Sequence, residues 1–164
     1  MMATDVVAAE LAGSDAPSVL ASSMRVADIL RRKGSSVITL PSAATVAQLV
    51  ETLDDQQIGA VVVVDDDQVV GIVSERDIVH HLHSGRDQSC PLADMMSTDV
   101  HVVTVQDDLD QLATIMTERR LRHLPVVEDG ALKGIVSIGD VVKTRLEALA
   151  AERDHLEDYL RRAP

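Results

Sequence analysis

Two short segments of the chain carry the same pair of polar side chains directly after an apolar run. Residues 71–77 read GIVSERD and residues 134–140 read GIVSIGD, so Ser74 and Asp77 correspond to Ser137 and Asp140. A hydroxyl and a carboxylate three residues apart are typical of the turn that opens a helix, where both side chains can form hydrogen bonds. We interpret this turn as a candidate binding site that occurs twice. The bland alternative is a pair of carboxylates that only favour a helix N-terminus.

The elements that must position these side chains are also repeated. Five elements are predicted, each once in either half of the chain. They are a short helix (26–30 and 92–96), a strand (37–40 and 101–104), an amphipathic helix (46–53 and 109–116), a hairpin (61–73 and 124–136) and a final helix (77–83 and 140–149). The pattern predicts an α/β fold of two β-α-β-β-α repeats. Neither half can bury both faces of a three-stranded sheet alone, so we expect the two sheets to pack with pseudo-twofold symmetry. Binding sites would then lie in clefts between the repeats.

Composition restricts the class of protein and its partners. The 164 residues are 46% hydrophobic but include no Phe or Trp, so the core must consist of aliphatic side chains. A formal charge of −12 argues against nucleic acid as the main partner. The first 22 residues show neither a signal peptide nor a membrane span, and no membrane partner is expected. A single cysteine, Cys90, fits a reducing compartment, so we expect a cytoplasmic protein.

The duplicated unit resembles the CBS domain, and the pair resembles a Bateman module. The residues that carry the resemblance are the two segments at 71–77 and 134–140 and the hairpin strands at 58–64 (IGAVVVV) and 121–127 (LRHLPVV). The chain is similar to stand-alone CBS-pair proteins of bacteria. We expect an N-terminal arm at residues 1–22, CBS repeats at 23–86 and 87–146, and a helical tail at 147–164.

The resemblance implies that the two turns are adenosine sites, of which at least one holds a ribose; whether one or both are occupied stays open. The ribose hydroxyls would be held by Asp77 with Ser74 and by Asp140 with Ser137, since a carboxylate can accept hydrogen bonds from both hydroxyls of a cis diol. The adenine would lie near Thr39, whose aligned residue in the second repeat is Val102.

Several cations are candidates for phosphate contacts, against the alternative of an ordinary solvated surface. Arg76 precedes the first carboxylate, whereas Gly139 precedes the second, so the two sites are not equivalent. The other candidates are His80, Lys143, and Arg122 and His123 just before Pro125.

Two further patterns have simpler explanations than the chemistry they suggest. His80, His81 and His83 with Cys90 could converge on a metal ion, but no second pair of close ligands accompanies them, and we interpret them as a polar helix end. No metal site and no catalytic residue is predicted. The acidic run at residues 65–67 is interpreted as a hairpin turn rather than a calcium loop.

Beyond the second repeat, leucines recur near one face of a predicted helix from about residue 141 to residue 162. We expect this tail to support a homodimer; the alternative is that it folds back on its own repeat. The sequence thus predicts a regulatory sensor that binds an adenine nucleotide (AMP, ADP, ATP or an NAD-like ligand), catalyses no reaction, requires no cofactor and acts on an unknown effector protein. The alternatives are a constitutive dimeric scaffold with vestigial sites and, third, an enzyme acting on a nucleotide.

Overall fold

Each repeat folds around an antiparallel hairpin flanked by helices, in the order that the sequence pattern predicts. The structure is a computed structural model that describes residues 24–162; the predicted N-terminal arm, residues 1–22, lies outside them. The first repeat contains α1 (Val26–Lys33), β1 (Thr39–Leu40), α2 (Val46–Gln56), β2 (Ala60–Asp65), β3 (Gln68–Ser74) and α3 (Glu75–His83). The second contains a 3₁₀ turn (Leu92–Asp94), α4 (Leu109–Glu118), β4 (His123–Glu128), β5 (Ala131–Ser137) and α5 (Ile138–Arg162).

The two hairpins share their turn geometry and their irregularity. Both turns place two residues at positive φ, Asp66 (47°) and Asp67 (61°) in the first and Asp129 (52°) and Gly130 (77°) in the second. This backbone matches the twist of the flanking strands, and Asp, Asn and Gly tolerate it best. The register slips at the equivalent place in both hairpins, after Val63 and after Val126. Asp66 and Asp67 of the acidic run therefore form the predicted hairpin turn, and Asp65 is the last residue of β2.

The first strand of each repeat is shorter than predicted. β1 contains two residues and pairs in parallel with β2, Thr39 lying opposite Val62. In the second repeat only Val103 pairs with β4, as an isolated bridge to Val126. The carboxylate of Asp107 accepts a hydrogen bond from the Thr104 backbone N–H at 2.8 Å, which turns the chain just beyond this bridge. The second sheet therefore has two full strands and one bridged residue.

The first element of each repeat packs on the other repeat. Val26, Ile29 and Leu30 of α1 are buried among side chains of the second repeat. Leu92 of the 3₁₀ turn is buried among side chains of the first. Backbone hydrogen bonds also connect each leading segment to the other repeat. The Val26 N–H donates to the Asp107 carbonyl and the Val46 N–H donates to the Cys90 carbonyl, both at 3.0 Å. The two cores therefore each depend on both halves of the chain.

Glycine is required in both GIVS segments because the exchanged elements approach the strands closely. A Cβ at Gly134 would lie 2.6 Å from Cδ2 of Leu30, and a Cβ at Gly71 would lie 2.5 Å from Sδ of Met96. Contacts below about 3 Å force the neighbouring side chain to move. These glycines let α1 and the chain after the 3₁₀ turn lie directly on β5 and β3.

The last helix, α5, extends past the body of the protein. Near its start Val141 and Thr144 are buried, and Arg145 pairs with Asp110 of α4 at 3.2 Å. Every residue from 151 to 162 is exposed. The tail therefore does not fold back on its own repeat. Within residues 24–162, no helix combines the length and the apolar character needed to cross a membrane.

Candidate ligand cleft

The two sequence-predicted carboxylates lie at the N-termini of α3 and α5. Ser74 and Ser137 end strands β3 and β5, and each helix begins at the next residue. Asp77 Oδ2 accepts hydrogen bonds from the backbone N–H (2.7 Å) and hydroxyl (2.8 Å) of Ser74. Asp140 Oδ2 accepts the same pair from Ser137 at 2.8 and 2.9 Å. Each carboxylate therefore caps a helix, which was the bland interpretation of the pattern.

The capping role leaves part of the carboxylate available. Both hydrogen bonds to Asp77 use Oδ2, and no residue between 24 and 162 donates a hydrogen bond to its Oδ1. A carboxylate oxygen has two lone pairs that can accept hydrogen bonds. Helix capping and ligand binding are thus compatible at this residue, and the ribose assignment stays a prediction.

A cleft of about 410 Å³ lies between the two repeats and includes the first of these motifs. One wall is formed by Ser74, Arg76 and Asp77 at the start of α3. Another part of the lining is formed by residues 120–125, at the start of β4 and just before it, which include Arg122, His123 and Pro125. Six sequence-predicted site residues, drawn from both repeats, therefore lie around one cavity. Its volume is within the range of small-molecule sites.

The other predicted residues lie elsewhere. Ser137 and Asp140 form the equivalent motif of the second repeat, where Asp140 is paired with Lys33 at 2.7 Å. Thr39, His80, Val102 and Lys143 are exposed and do not line the cleft. Their proposed contacts with adenine and phosphate have no counterpart in the geometry of this cavity.

Comparison with known proteins now identifies the fold. The CBS domain model matches residues 26–84 and 92–147. The chain belongs to the CBS-domain family. The two matches form a CBS pair, similar to the mitochondrial CBS domain-containing protein CBSX3 of Arabidopsis thaliana (30% identity, covering 84% of this chain and 72% of that protein).

Two solved CBS structures have a similar fold. A CBS-domain-containing protein from Agrobacterium tumefaciens is 41% identical, with a TM-score of 0.72, and the match covers 74% of this chain and 99% of that one. A CBS domain protein from Pyrobaculum aerophilum, solved in complex with AMP, is 27% identical with a TM-score of 0.65, over 71% of this chain and 89% of that one.

Four charged or titratable residues of the CBS-pair cleft escaped the sequence analysis: Glu75, Asp99, His101 and Arg120. Glu75 lies inside the motif, so proximity to Asp77 could have indicated it. Arg120 follows α4 in the left-handed conformation (φ 55°), and Gln57 follows α2 in the same way (φ 52°). The position of Arg120 in the cleft depends on this left-handed residue, and an arginine in the sequence does not indicate a left-handed conformation.

The electrostatic balance of the cleft differs from that of the whole CBS pair. Its charged lining consists of three arginines and three carboxylates, together with two histidines: Arg76, Arg120, Arg122, Glu75, Asp77, Asp99, His101 and His123. The chain as a whole carries a formal charge of −12. An anionic ligand is repelled less by this nearly neutral cleft than by the acidic surface of the rest of the protein.

His123 is the first residue of β4 and is close enough to both motifs to feel the charges of Glu75 and Asp140. Its imidazole is so close to Gly59 that a Cβ on that glycine would lie 3.3 Å from Cε1. Burial lowers the pKa of His123, and the charges of Lys33 and Arg122 lower it further, whereas Asp140 and Glu75 oppose them. The lowered pKa favours the neutral ring, in which one nitrogen donates a hydrogen bond and the other accepts one.

The three histidines of α3, which the sequence suggested as possible metal ligands, lie in different environments. His81 is buried, and its Nε2 lies 2.9 Å from the carbonyl oxygen of Asp87. His80 and His83 are exposed. Between residues 24 and 162, no three His, Cys, Asp or Glu side chains are grouped as metal ligands. His81 holds the end of α3 against the loop that follows it.

Proposed function

We propose that this CBS pair is a non-catalytic regulatory module that binds an adenine nucleotide in the cleft between its repeats. The observation that carries the proposal is the convergence of an available carboxylate oxygen on Asp77 with Arg122 and His123 of the other repeat around about 410 Å³. The carboxylate would accept hydrogen bonds from the ribose hydroxyls. The arginines and His123 would face the phosphates. The AMP complex of the Pyrobaculum relative supports this ligand class.

Binding in this position would connect the two repeats and bias their arrangement. The ligand can shift that equilibrium only by its difference in affinity between the two arrangements. No cofactor is required for this role, and the effector protein is unknown. We further propose that the protein acts in the cytoplasm, on the basis of its single cysteine.

The ribose contact is tested by calorimetry with adenosine and AMP on Asp77→Asn. A hydrogen bond to a charged group is worth about 1.5–3 kcal/mol, so the variant should bind about 10- to 100-fold more weakly. Asp66→Asn makes the same charge change on the exposed hairpin turn and should bind like the unmodified protein. Unchanged affinity in Asp77→Asn would refute the ribose assignment.

The phosphate contact is tested separately with Arg122→Ala. This variant should lose affinity for AMP and ATP but retain it for adenosine, because a charge-assisted contact requires the phosphate. Arg119→Ala is the matched control, since Arg119 is exposed and lies outside the cleft lining. An equal loss for adenosine and AMP would contradict a phosphate role.

A thermal-shift panel of AMP, ADP, ATP, NAD and S-adenosylmethionine would select among ligands. A bound ligand must raise the melting temperature by mass action. A protein that responds to none of them but remains dimeric would fit the constitutive scaffold instead.

We propose a homodimer in which α5 contributes to the interface. Leu146, Leu149, Leu156 and Leu160 are each more than half exposed, between 52% and 72%. A small domain gains little from exposing that much apolar surface on one helix. A second copy of the chain would bury it under twofold symmetry.

A further inference from the structure

The two carboxylates of the CBS pair have different partners, although their motifs are nearly the same in sequence. The ammonium group of Lys33 lies 2.7 Å from Oδ2 of Asp140 and donates a second hydrogen bond to the Ile135 carbonyl at 3.0 Å. Asp77 has no ion-pair partner within 4.0 Å in the described range, residues 24–162. The second motif is therefore already in contact with a cation from the same chain.

Lys33 is held in this place by the packing of α1 on the second repeat. It is the last residue of α1, and the N–H of Gly34 closes the helix with a 2.8 Å bond to the Leu30 carbonyl. Leu30 in turn lies against Gly134 of β5. The ammonium is thus held near Asp140 by a helix that is anchored through its buried residues Val26, Ile29 and Leu30.

The equivalent segment near the first motif, residues 96–99, contains no cation. Met96 takes the place of Leu30, lying against Gly71 of β3. The chain then pairs with that strand through Ser97, which exchanges two 3.1 Å backbone hydrogen bonds with Ile72. It reaches the cleft with a carboxylate, Asp99. The environment of Asp77 therefore remains open, whereas that of Asp140 is closed by Lys33.

The electrostatics of Asp140 agree with this geometry. Burial raises the pKa of the Asp140 carboxyl, but the hydrogen bonds from Lys33 and Ser137 outweigh burial and hold the pKa below its ordinary value. The side chains of Lys33 and Asp140 are 37% and 24% exposed, so solvent screens the pair only in part. A neutral ribose diol that displaced the ammonium would leave both charges without their partner.

We propose that Lys33 is an internal occupant of the second motif, so that the chain binds one adenosine ligand, at Ser74 and Asp77. The inference rests on the proposed function and specifies how many ligands the module holds and where. It also means that the two repeats, alike in sequence, have different roles: one receives the ligand and the other holds its own lysine.

The test is isothermal titration calorimetry with adenosine and with AMP. The unmodified chain should bind one equivalent, and Lys33→Met should bind two, because methionine keeps most of the aliphatic stem and removes the charge. Arg32→Met is the matched control: Arg32 lies one residue earlier on α1 and pairs with Glu147 instead. It should still bind one equivalent. In Lys33→Met the second motif should bind at least about fivefold more tightly than in the unmodified chain, where its binding is too weak to add a second equivalent.

A second set of variants isolates the site at Asp140. Asp77→Asn should bind both ligands about 10- to 100-fold more weakly than the unmodified chain, whereas Asp77→Asn combined with Lys33→Met should add one equivalent of binding at Asp140. Thermal melts of every variant verify that it is folded. Recovery in the double variant would support the inference even if binding at Asp77 proved weak.

The contrary results are distinct from one another. Two equal sites in the unmodified chain, or one site in Lys33→Met, would overturn the role of Lys33 and leave the proposed function intact. A loss of affinity for AMP but not adenosine in Lys33→Met would make Lys33 a phosphate ligand and also overturn it. No binding to any folded variant would refute the proposed function and this inference together.

Discussion

The contact between Gly134 and Leu30 allows a quantitative test of how α1 is attached to the second repeat. In Gly134→Ala the new methyl group would lie 2.6 Å from Cδ2 and 3.1 Å from Cδ1 of a leucine that is only 9% exposed. Overpacking of this kind costs about 1–3 kcal/mol, offset by up to about 1 kcal/mol from replacing glycine within a strand. We expect a net loss of about 1–2 kcal/mol in the free energy of unfolding.

A double-mutant cycle assigns this loss to the leucine. Leu30→Ala alone should cost about 2–3 kcal/mol through the lost burial and the cavity. In the double variant the added methyl group occupies part of that cavity, so the total should be at least about 1 kcal/mol smaller than the sum of the two single effects. Urea denaturation at pH 7 measures all three variants, and the single Gly134→Ala change should lower the melting temperature by about 3–6 °C.

The equivalent glycine provides the control. Gly71→Ala would place its methyl group 2.5 Å from Sδ of Met96, whose unbranched side chain can move aside more easily than a leucine. It should therefore destabilise the protein less than Gly134→Ala. Additive effects of Gly134→Ala and Leu30→Ala, within about 0.3 kcal/mol, would show that Leu30 does not determine the space at Gly134.

Three further outcomes follow from contacts described above. Asp77→Ala should lower the free energy of unfolding by about 1 kcal/mol through loss of the helix cap, and Asp77→Asn by less, because its amide oxygen still accepts hydrogen bonds; equal stability of all three proteins in urea would contradict the cap. Because the pKa of His123 is lowered in the folded protein, the unfolded chain binds a proton at this residue more readily. The contribution of His123 to the free energy of unfolding should therefore be constant above about pH 6.5 and should decrease as the pH falls below that value. The free energy of His123→Asn should show a smaller fall over the same pH range, and an identical pH profile would argue against a buried neutral ring. Deleting residues 151–164 should move the protein toward monomer in sedimentation velocity, through the loss of Leu156 and Leu160; an unchanged dimer would assign the interface to the CBS repeats alone.

The parts of the structure that sequence reasoning predicted are those in which neighbours along the chain decide the conformation. The hairpins follow from apolar runs around Asp and Gly turns, and the helix caps follow from the Ser and Asp spacing of each motif. The predicted strand at residues 101–104 is too long, because its length depends on how many of its residues pair with β4. A run of β-branched residues does not reveal the extent of that pairing.

Contacts between distant parts of the chain account for the rest. Lys33 and Asp99 lie beside the motifs because each repeat packs against the leading element of the other repeat. Arg120 lies there because the chain reverses after α4. A lysine at the end of a short amphipathic helix looks like an ordinary solvated charge in the sequence. Arg122 and His123 were identified because they are cations just before Pro125, at the start of the second hairpin.

The exchange of α1 and the 3₁₀ turn between the repeats has a consequence for how such a molecule can come apart. Neither core is complete without an element contributed by the other half, so cutting the chain into separate repeats removes a wall from both. The two repeats should consequently melt in one transition rather than in two. A single repeat, expressed alone, has its missing wall available only in another copy of itself, where each would lend its leading element to the other. The pair is thus an intramolecular version of a domain-swapped dimer, in which the covalent connection near residue 87 replaces the encounter of two chains.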